Sequence, residues 1–271
     1  MPELPEVETT RRGIEPFISH QIISDIVIRQ RSLRWPVPKQ LRQKARNQTV
    51  QSVDRRGKYL LLRLDNGTII IHLGMSGSLR ICSTGTPVEK HDHVDFVLGN
   101  QRILRLRDPR KFGAVLWTAD APEKHELLSP LGPEPLQEDF NAEYLFECTR
   151  KRTASIKSVI MNSHIVVGVG NIYACESLFL AGINPRRKAG SLSIKRCEKL
   201  VSAIKQVLAA SITQGGTTLR DFIRENGEPG YYAQKLFVYG KAGEACAQCG
   251  RPIRQIKQQQ RSTFYCSHCQ R

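Results

Sequence analysis

Four cysteines near the end of the chain constrain its folding more than any other feature: Cys246-x2-Cys249-x16-Cys266-x2-Cys269. Two CxxC knuckles at that separation can set four thiolates around one tetrahedral zinc. Two disulfides are the competing use, and they belong to oxidising compartments. Met1 to Glu8 is acidic and punctuated by proline, where a secretory signal is basic and then apolar. The expectation is therefore a cytoplasmic protein with one structural zinc. No apolar run approaches the roughly 20 residues that span a bilayer, so no membrane partner is expected. Cys82, Cys148, Cys175 and Cys197 are isolated and read as small apolar filler.

The periodicity changes along the 271 residues. Residues 4–18 read as a helix, with Pro5 suited to the first turn and Glu6 and Glu8 to its positive end. From about 22 to 118 the texture is strand-like. Lys58–Leu64 and Thr68–Leu73 flank Asp65-Asn66-Gly67, a strong hairpin signal, and Val94–Leu98 and Arg102–Leu106 flank Gly99-Asn100. Beyond the linker at 131–136 the pattern turns helical. In 171–181, Ile172, Cys175, Leu178 and Phe179 share one face, and Ser193 can cap a helix running to Thr213. The expected class is α+β. An N-terminal antiparallel β-sandwich with flanking helices (1–130) precedes a helical domain (137–240) and a zinc ribbon (241–271).

Forty-one Lys and Arg against 25 Asp and Glu leave a formal charge of +16, and the last 31 residues carry six basic residues against one acid. Such a field favours a polyanion, nucleic acid first, through phosphate neutralisation and counterion release. The N-terminus adds a chemical possibility. Removal of Met1 would leave Pro2 with a secondary amine titrating near ~8, so an appreciable fraction is neutral at physiological pH. Such an amine can attack a sugar C1′ to form an iminium, while the adjacent Glu3 can serve as general acid. The plainer reading is a helix lead-in, with proline for rigidity and glutamate for the dipole.

Seven segments together resemble bacterial formamidopyrimidine-DNA glycosylases, and they span the chain from residue 2 to 269. They are Pro2–Thr9, His72–Gly77, Lys90–His93, Asp108–Gly113, Gly168–Tyr173 and the two cysteine knuckles. The resemblance implies a bifunctional enzyme that excises oxidised purines such as 8-oxoguanine from double-stranded DNA and then cleaves the strand by β,δ-elimination. It makes Pro2 the Schiff-base nucleophile and Glu3 the acid. Lys58 would assist β-elimination, and Arg261 would hold phosphate and assist δ-elimination. Met75, Arg110 and Phe112 would fill the gap left by an extruded nucleotide, with Arg110 preferring an opposite cytosine. His91, Lys151, Arg152, Lys157, Asn171 and Tyr239 would contact DNA. Asn171 belongs to a helix-two-turn-helix element, and Gly216–Pro229 aligns with a lid over the flipped base. His72 and His93 are expected to satisfy local hydrogen bonds. The protein would act as a monomer.

Two alternatives stay open at this stage. A related endonuclease VIII-like glycosylase would act on oxidised pyrimidines, differing in the wedge residues and the lid. A non-enzymatic zinc-ribbon DNA-binding protein would share the charge and the cysteines, but would have no need of Pro2 beside Glu3.

Overall fold

A computed structural model describes residues 2–215 and 236–271. The lid segment Gly216–Pro229 and Lys235 lie outside the described residues. The described chain divides into two compact units, one reaching Pro130 and the other holding 131–214 and 236–271.

The first unit begins with α1 (Leu4–Ile18), whose entry is fixed by the Glu6 carboxylate accepting the Glu3 N–H at 2.8 Å. Such reciprocal capping satisfies a donor that no helical carbonyl can reach. Leu4, Val7, Ile14 and Ile18 recur at helical spacing and are buried. Eight strands follow in two antiparallel sheets. The first sheet runs β1 (Ile23–Ile28), β6 (Asp92–Leu98), β7 (Arg102–Arg107), β5 (Ser78–Ser83). The second runs β2 (Val50–Arg56), β3 (Tyr59–Leu64), β4 (Gly67–His72), β8 (Ala114–Thr118). The short α2 (Leu41–Ala45) lies between β1 and β2 in sequence. Both hairpins read from sequence are present, Leu64 pairing with Gly67 and Val97 with Ile103. Alternate residues of each sheet, Leu60, Leu62, Ile69 and Ile71 from one and Val94, Phe96, Leu104 and Leu106 from the other, share a single core. Glu8 in α1 accepts from Arg55 in β2 at 3.1 Å, which ties the helix to the sheet.

A buried charge network lies within the β6–β7 sheet. Arg105 is 2% exposed, and its Nε and Nη2 each donate to an oxygen of Asp95 at 2.9 Å. Burial alone would raise the Asp95 carboxyl, but hydrogen bonds from Arg29 and Arg105 outweigh it and hold the group below its ordinary value. Nη1 of Arg105 reaches the Pro87 carbonyl at 2.9 Å, so the guanidinium also fastens the segment leading to His91.

The second unit packs α3 (Ala142–Thr149), α4 (Ile156–Ile160), α5 (Asn171–Leu180) and α6 (Ile194–Thr213), followed by a two-stranded ribbon, β9 (Arg254–Gln258) and β10 (Arg261–Tyr265). Helix α5 departs from the one-faced expectation. Tyr173, Ala174 and Leu178 enter the helical core, while Cys175 and Phe179 enter a second cluster with Val238, Ile253 and Phe264 of the ribbon module. A helix packed on two sides is apolar on two sides, which erases the single stripe. Ser193 does precede α6, though its side chain makes no capping bond. Among the described residues no helix is long and apolar enough to cross a membrane.

Removing Arg105 takes two donors from the buried Asp95 carboxylate, which keeps its bond from Arg29 at 2.7 Å. Arg105→Met is expected to destabilise the protein by about 3–5 kcal/mol. Chemical denaturation monitored by circular dichroism measures it, and a loss below about 1 kcal/mol would show that the network is dispensable.

Candidate functional site

In the first unit the expected wedge residues meet at one place. Leu73–Gly77 and Asp108–Gly113 are turns that follow β4 and β7, and they lie back to back. A Cβ at Gly74, whose φ is +63°, would overlap the backbone of Phe112 and Gly113, so only glycine permits the approach. From these turns Met75 (37% exposed) and Phe112 (44% exposed) project into solvent, and the Arg110 guanidinium lies 5.0 Å from the centre of the Phe112 ring. His91 immediately precedes β6, and its ring lies 6.3 Å from that of His93.

Pro2 and Glu3 are buried at the start of α1, Glu3 in the N-cap position. Lys58 is half-buried in the β2–β3 turn, where Gly57 takes a positive φ of 55°. His72 at the end of β4 feels the Lys58 charge and bonds the turn that carries Met75. Burial pushes its imidazole down to about 4, and the Lys58 and Arg34 charges add to the shift. Its Nδ1 accepts the Gly74 N–H at 3.0 Å, so the neutral ring carries its proton on Nε2. His93 donates from Nε2 to the Asp108 carbonyl at 2.8 Å. Both histidines thus make the local hydrogen bonds expected of them.

In the second unit the charge run 150–157 is not solvated throughout: Lys157 is 2% exposed. Its ammonium donates to Asn171 Oδ1 at 2.5 Å, Thr263 Oγ1 at 2.7 Å and the Ser262 carbonyl at 3.2 Å. These acceptors help compensate for burying the charge. Asn171, the first residue of α5, donates from Nδ2 to the same Ser262 carbonyl at 2.9 Å. Lys157 and Asn171 therefore fasten helix to ribbon. Lys151 and Arg152 do face solvent, Lys151 with a positive φ of 58°. A cavity of about 360 Å³ opens beside them, lined in part by Arg152, Lys157, Ser158, Gln258 and Arg261. Arg261 is exposed at the first position after the ribbon turn. Tyr239 is half-buried, with its ring edge-on to Phe264 at 5.0 Å.

The four knuckle sulfurs lie within 4.8 Å of one another, with Cys246 to Cys269 at 3.9 Å and Cys249 to Cys266 at 3.5 Å. Tetrahedral zinc with bonds of ~2.3 Å needs sulfurs ~3.8 Å apart, whereas a disulfide needs ~2.05 Å. The set fits one zinc, and four thiolates leave no open position on it, so its chemistry is structural.

The chain matches three family models. These are the formamidopyrimidine-DNA glycosylase N-terminal domain over 1–115, the H2TH domain of the same family over 131–223, and the zinc finger found in FPG and IleRS over 243–271. The chain belongs to the formamidopyrimidine-DNA glycosylase family. The family's protein from Marinobacter nauticus is 55% identical over the whole of both chains, and that from Thioalkalivibrio sulfidiphilus is 56% identical over the same extent. Among solved structures, the MutM (Fpg) protein of Thermus thermophilus aligns with a TM-score of 0.89 at 34% identity, covering 99% of this chain and 98% of that one. A Lactococcus lactis Fpg variant in complex with a Fapy-dG containing DNA aligns with a TM-score of 0.92 at 36% identity, covering 99% of each chain.

Within this member of the glycosylase family, sequence reasoning passed over two buried acids. Asp108 is fully buried beneath the wedge, and Glu176 in α5 accepts the backbone N–H groups of Phe237, Val238 and Tyr239 at 2.7–3.0 Å. The Asp-Pro pair at 108–109 was a usable signal for the first, since Asp before a turn commonly bonds the backbone beyond it. For Glu176, an acid in the middle of an apolar helix, the signal was its isolation.

The depressed His72 group carries a stability consequence. Between pH 6.5 and about 4 the unfolded imidazole takes a proton that the folded one refuses. Stability from this site is therefore complete above pH 6.5 and is lost as pH falls toward 4, by at most about 3 kcal/mol. His72→Asn, whose amide oxygen can accept the Gly74 N–H, should flatten this part of the melting-temperature profile. Parallel profiles for the two proteins would remove His72 from the account.

Proposed function

We propose that this chain is a DNA repair glycosylase and AP lyase that excises oxidised purines from double-stranded DNA. One observation carries the reading from binding to base extrusion. Two large apolar side chains, Met75 and Phe112, stand exposed on adjacent, closely braced turns beside a guanidinium. Exposed apolar groups held this way serve a contact. Extruding a nucleotide leaves a gap in the stack, which a thioether and an aromatic ring can fill, while the Arg110 donors meet acceptors on the estranged base.

The chemistry follows from Pro2 and Glu3. The neutral Pro2 amine attacks C1′ of the extruded nucleotide and gives up its N–H proton, while the C1′–N bond breaks with its electron pair leaving on the base, which takes up a proton. Glu3 supplies a proton on the sugar side, opening the ring and yielding an iminium between Pro2 and C1′. The iminium draws electrons from C2′. Loss of a C2′ proton, with Lys58 at hand in the β2–β3 turn, expels the 3′ phosphate by β-elimination. A second elimination releases the 5′ phosphate, with Arg261 as its proposed partner. His91, Lys151, Arg152, Lys157, Asn171 and Tyr239 are proposed to contact the DNA, and Lys157 and Asn171 also hold the ribbon that carries Arg261. The zinc braces that ribbon and takes no part in the reaction. A DNA substrate in a bacterium implies a cytoplasmic location.

Borohydride should trap a covalent adduct between the protein and a duplex bearing 8-oxoguanine opposite cytosine, with Edman degradation locating the link at Pro2. Failure to trap with folded, Met-processed protein would sink the nucleophile assignment and return the chain to the class of non-enzymatic binders. A preference for oxidised pyrimidines in the same assay would favour the endonuclease VIII-like activity.

Metal analysis is expected to find one zinc per chain. Cys249→Ser should lower zinc content and weaken duplex binding together. Zinc loss with an unchanged binding curve would take the ribbon out of the DNA interface.

A further inference from the structure

Asp108 follows β7 directly and is fully buried, although Pro109, Arg110, Lys111 and Phe112 after it are all exposed. Its carboxylate bonds both wedge turns. Oδ2 accepts the Gly113 N–H at 2.7 Å, and Oδ1 accepts the Arg110 N–H at 3.2 Å and the Ser76 hydroxyl at 3.3 Å. Its backbone holds a third segment, donating to the His91 carbonyl at 3.0 Å and accepting from His93 Nε2 at 2.8 Å. Three stretches distant in sequence, 72–77, 91–93 and 108–113, thus converge on one residue.

The convergence has strain to restrain. His91 (φ +80°) and Lys111 (φ +56°) both occupy the left-handed region, which non-glycine residues hold only when their surroundings over-determine them. The Asp108 carbonyl also accepts the Lys111 N–H at 3.3 Å. We propose that Asp108 is the positioning residue that locks His91, Met75, Arg110 and Phe112 into one rigid tip, and that this rigidity sets which opposite base is tolerated. The proposal rests on the glycosylase reading above. A guanidinium reads a base edge only when its donors are held in register, whereas attraction to phosphate tolerates misplacement. Loosening the tip therefore costs discrimination before it costs binding.

The test compares single-turnover excision of 8-oxoguanine opposite cytosine and opposite adenine in the wild type, Asp108→Asn and Ser76→Ala. Asp108→Asn should lower the cytosine-to-adenine ratio about tenfold, the value of one good base-edge contact. Borohydride trapping on a single-stranded abasic oligonucleotide, which has no opposite base to read, should stay within about twofold of wild type. Ser76→Ala, which removes one bond to the carboxylate, should shift the ratio in the same direction by less. It carries the test if Asp108→Asn does not fold. An unchanged ratio with both rates reduced alike would make Asp108 merely structural and overturn the proposal. A wild-type protein that neither excises nor traps would instead overturn the glycosylase reading.

Discussion

A carboxylate taken out of water must find donors, and this protein meets that demand with the backbone and side chains of its loops. Asp108 collects N–H groups from Arg110 and Gly113. Glu176 collects three successive N–H groups from Phe237 to Tyr239. Asp95 takes a bidentate Arg105, and that arginine in turn holds the Thr86 and Pro87 carbonyls. In each case a segment with no regular secondary structure gains a defined position from one buried acid. Arg110, Phe112 and Tyr239, three of the proposed DNA-contacting residues, ride on those segments.

This use of acids also shapes the +16 field. Acids such as Asp92, Asp95, Asp108 and Glu176 are buried and engaged, so they do little to neutralise the surface. Arg110, Lys111, Lys151, Arg152 and Arg261 are exposed. The same excess on a chain whose acids lay outside would give a weaker potential at the same composition. Two cations run the other way. Arg105 is spent on Asp95, and Lys157 is spent where its bonds to Asn171, Ser262 and Thr263 join α4, α5 and the ribbon.

Features set by local chemistry are legible in the sequence. The Asp65-Asn66-Gly67 turn, the Pro5 helix start and the cysteine knuckles each depend on a few neighbouring residues, and each is where it was expected. What escaped depends on partners far along the chain. Nothing in residues 150–157 distinguishes the lysine that will be buried from those that will not, because two of its acceptors, Ser262 and Thr263, lie about a hundred positions on. The two-sided burial of α5 escaped for the same reason: its second partner is the ribbon module. Asp108 lay inside a recognised motif, yet its importance comes from Ser76, His91 and His93, which only the fold brings to it. The wedge itself was nameable only by resemblance, since an isolated methionine and phenylalanine ordinarily mean core.

The ribbon shows why a metal that does no chemistry can still be indispensable. A two-stranded ribbon of five-residue strands is marginal alone. Zinc closes its base through the knuckles, and Phe264 packs with Phe179 and Cys175 of α5 in one cluster. Lys157 and Asn171 then grip the Ser262 carbonyl, one residue from Arg261. The tip turn carries Gln259 and Gln260 at φ values of +45° and +61°, a conformation that needs a firm frame on either side. An arginine proposed to meet one phosphate gains little from charge alone, because many other cations supply it. What it needs is a fixed origin, and metal, helix and buried lysine together provide one.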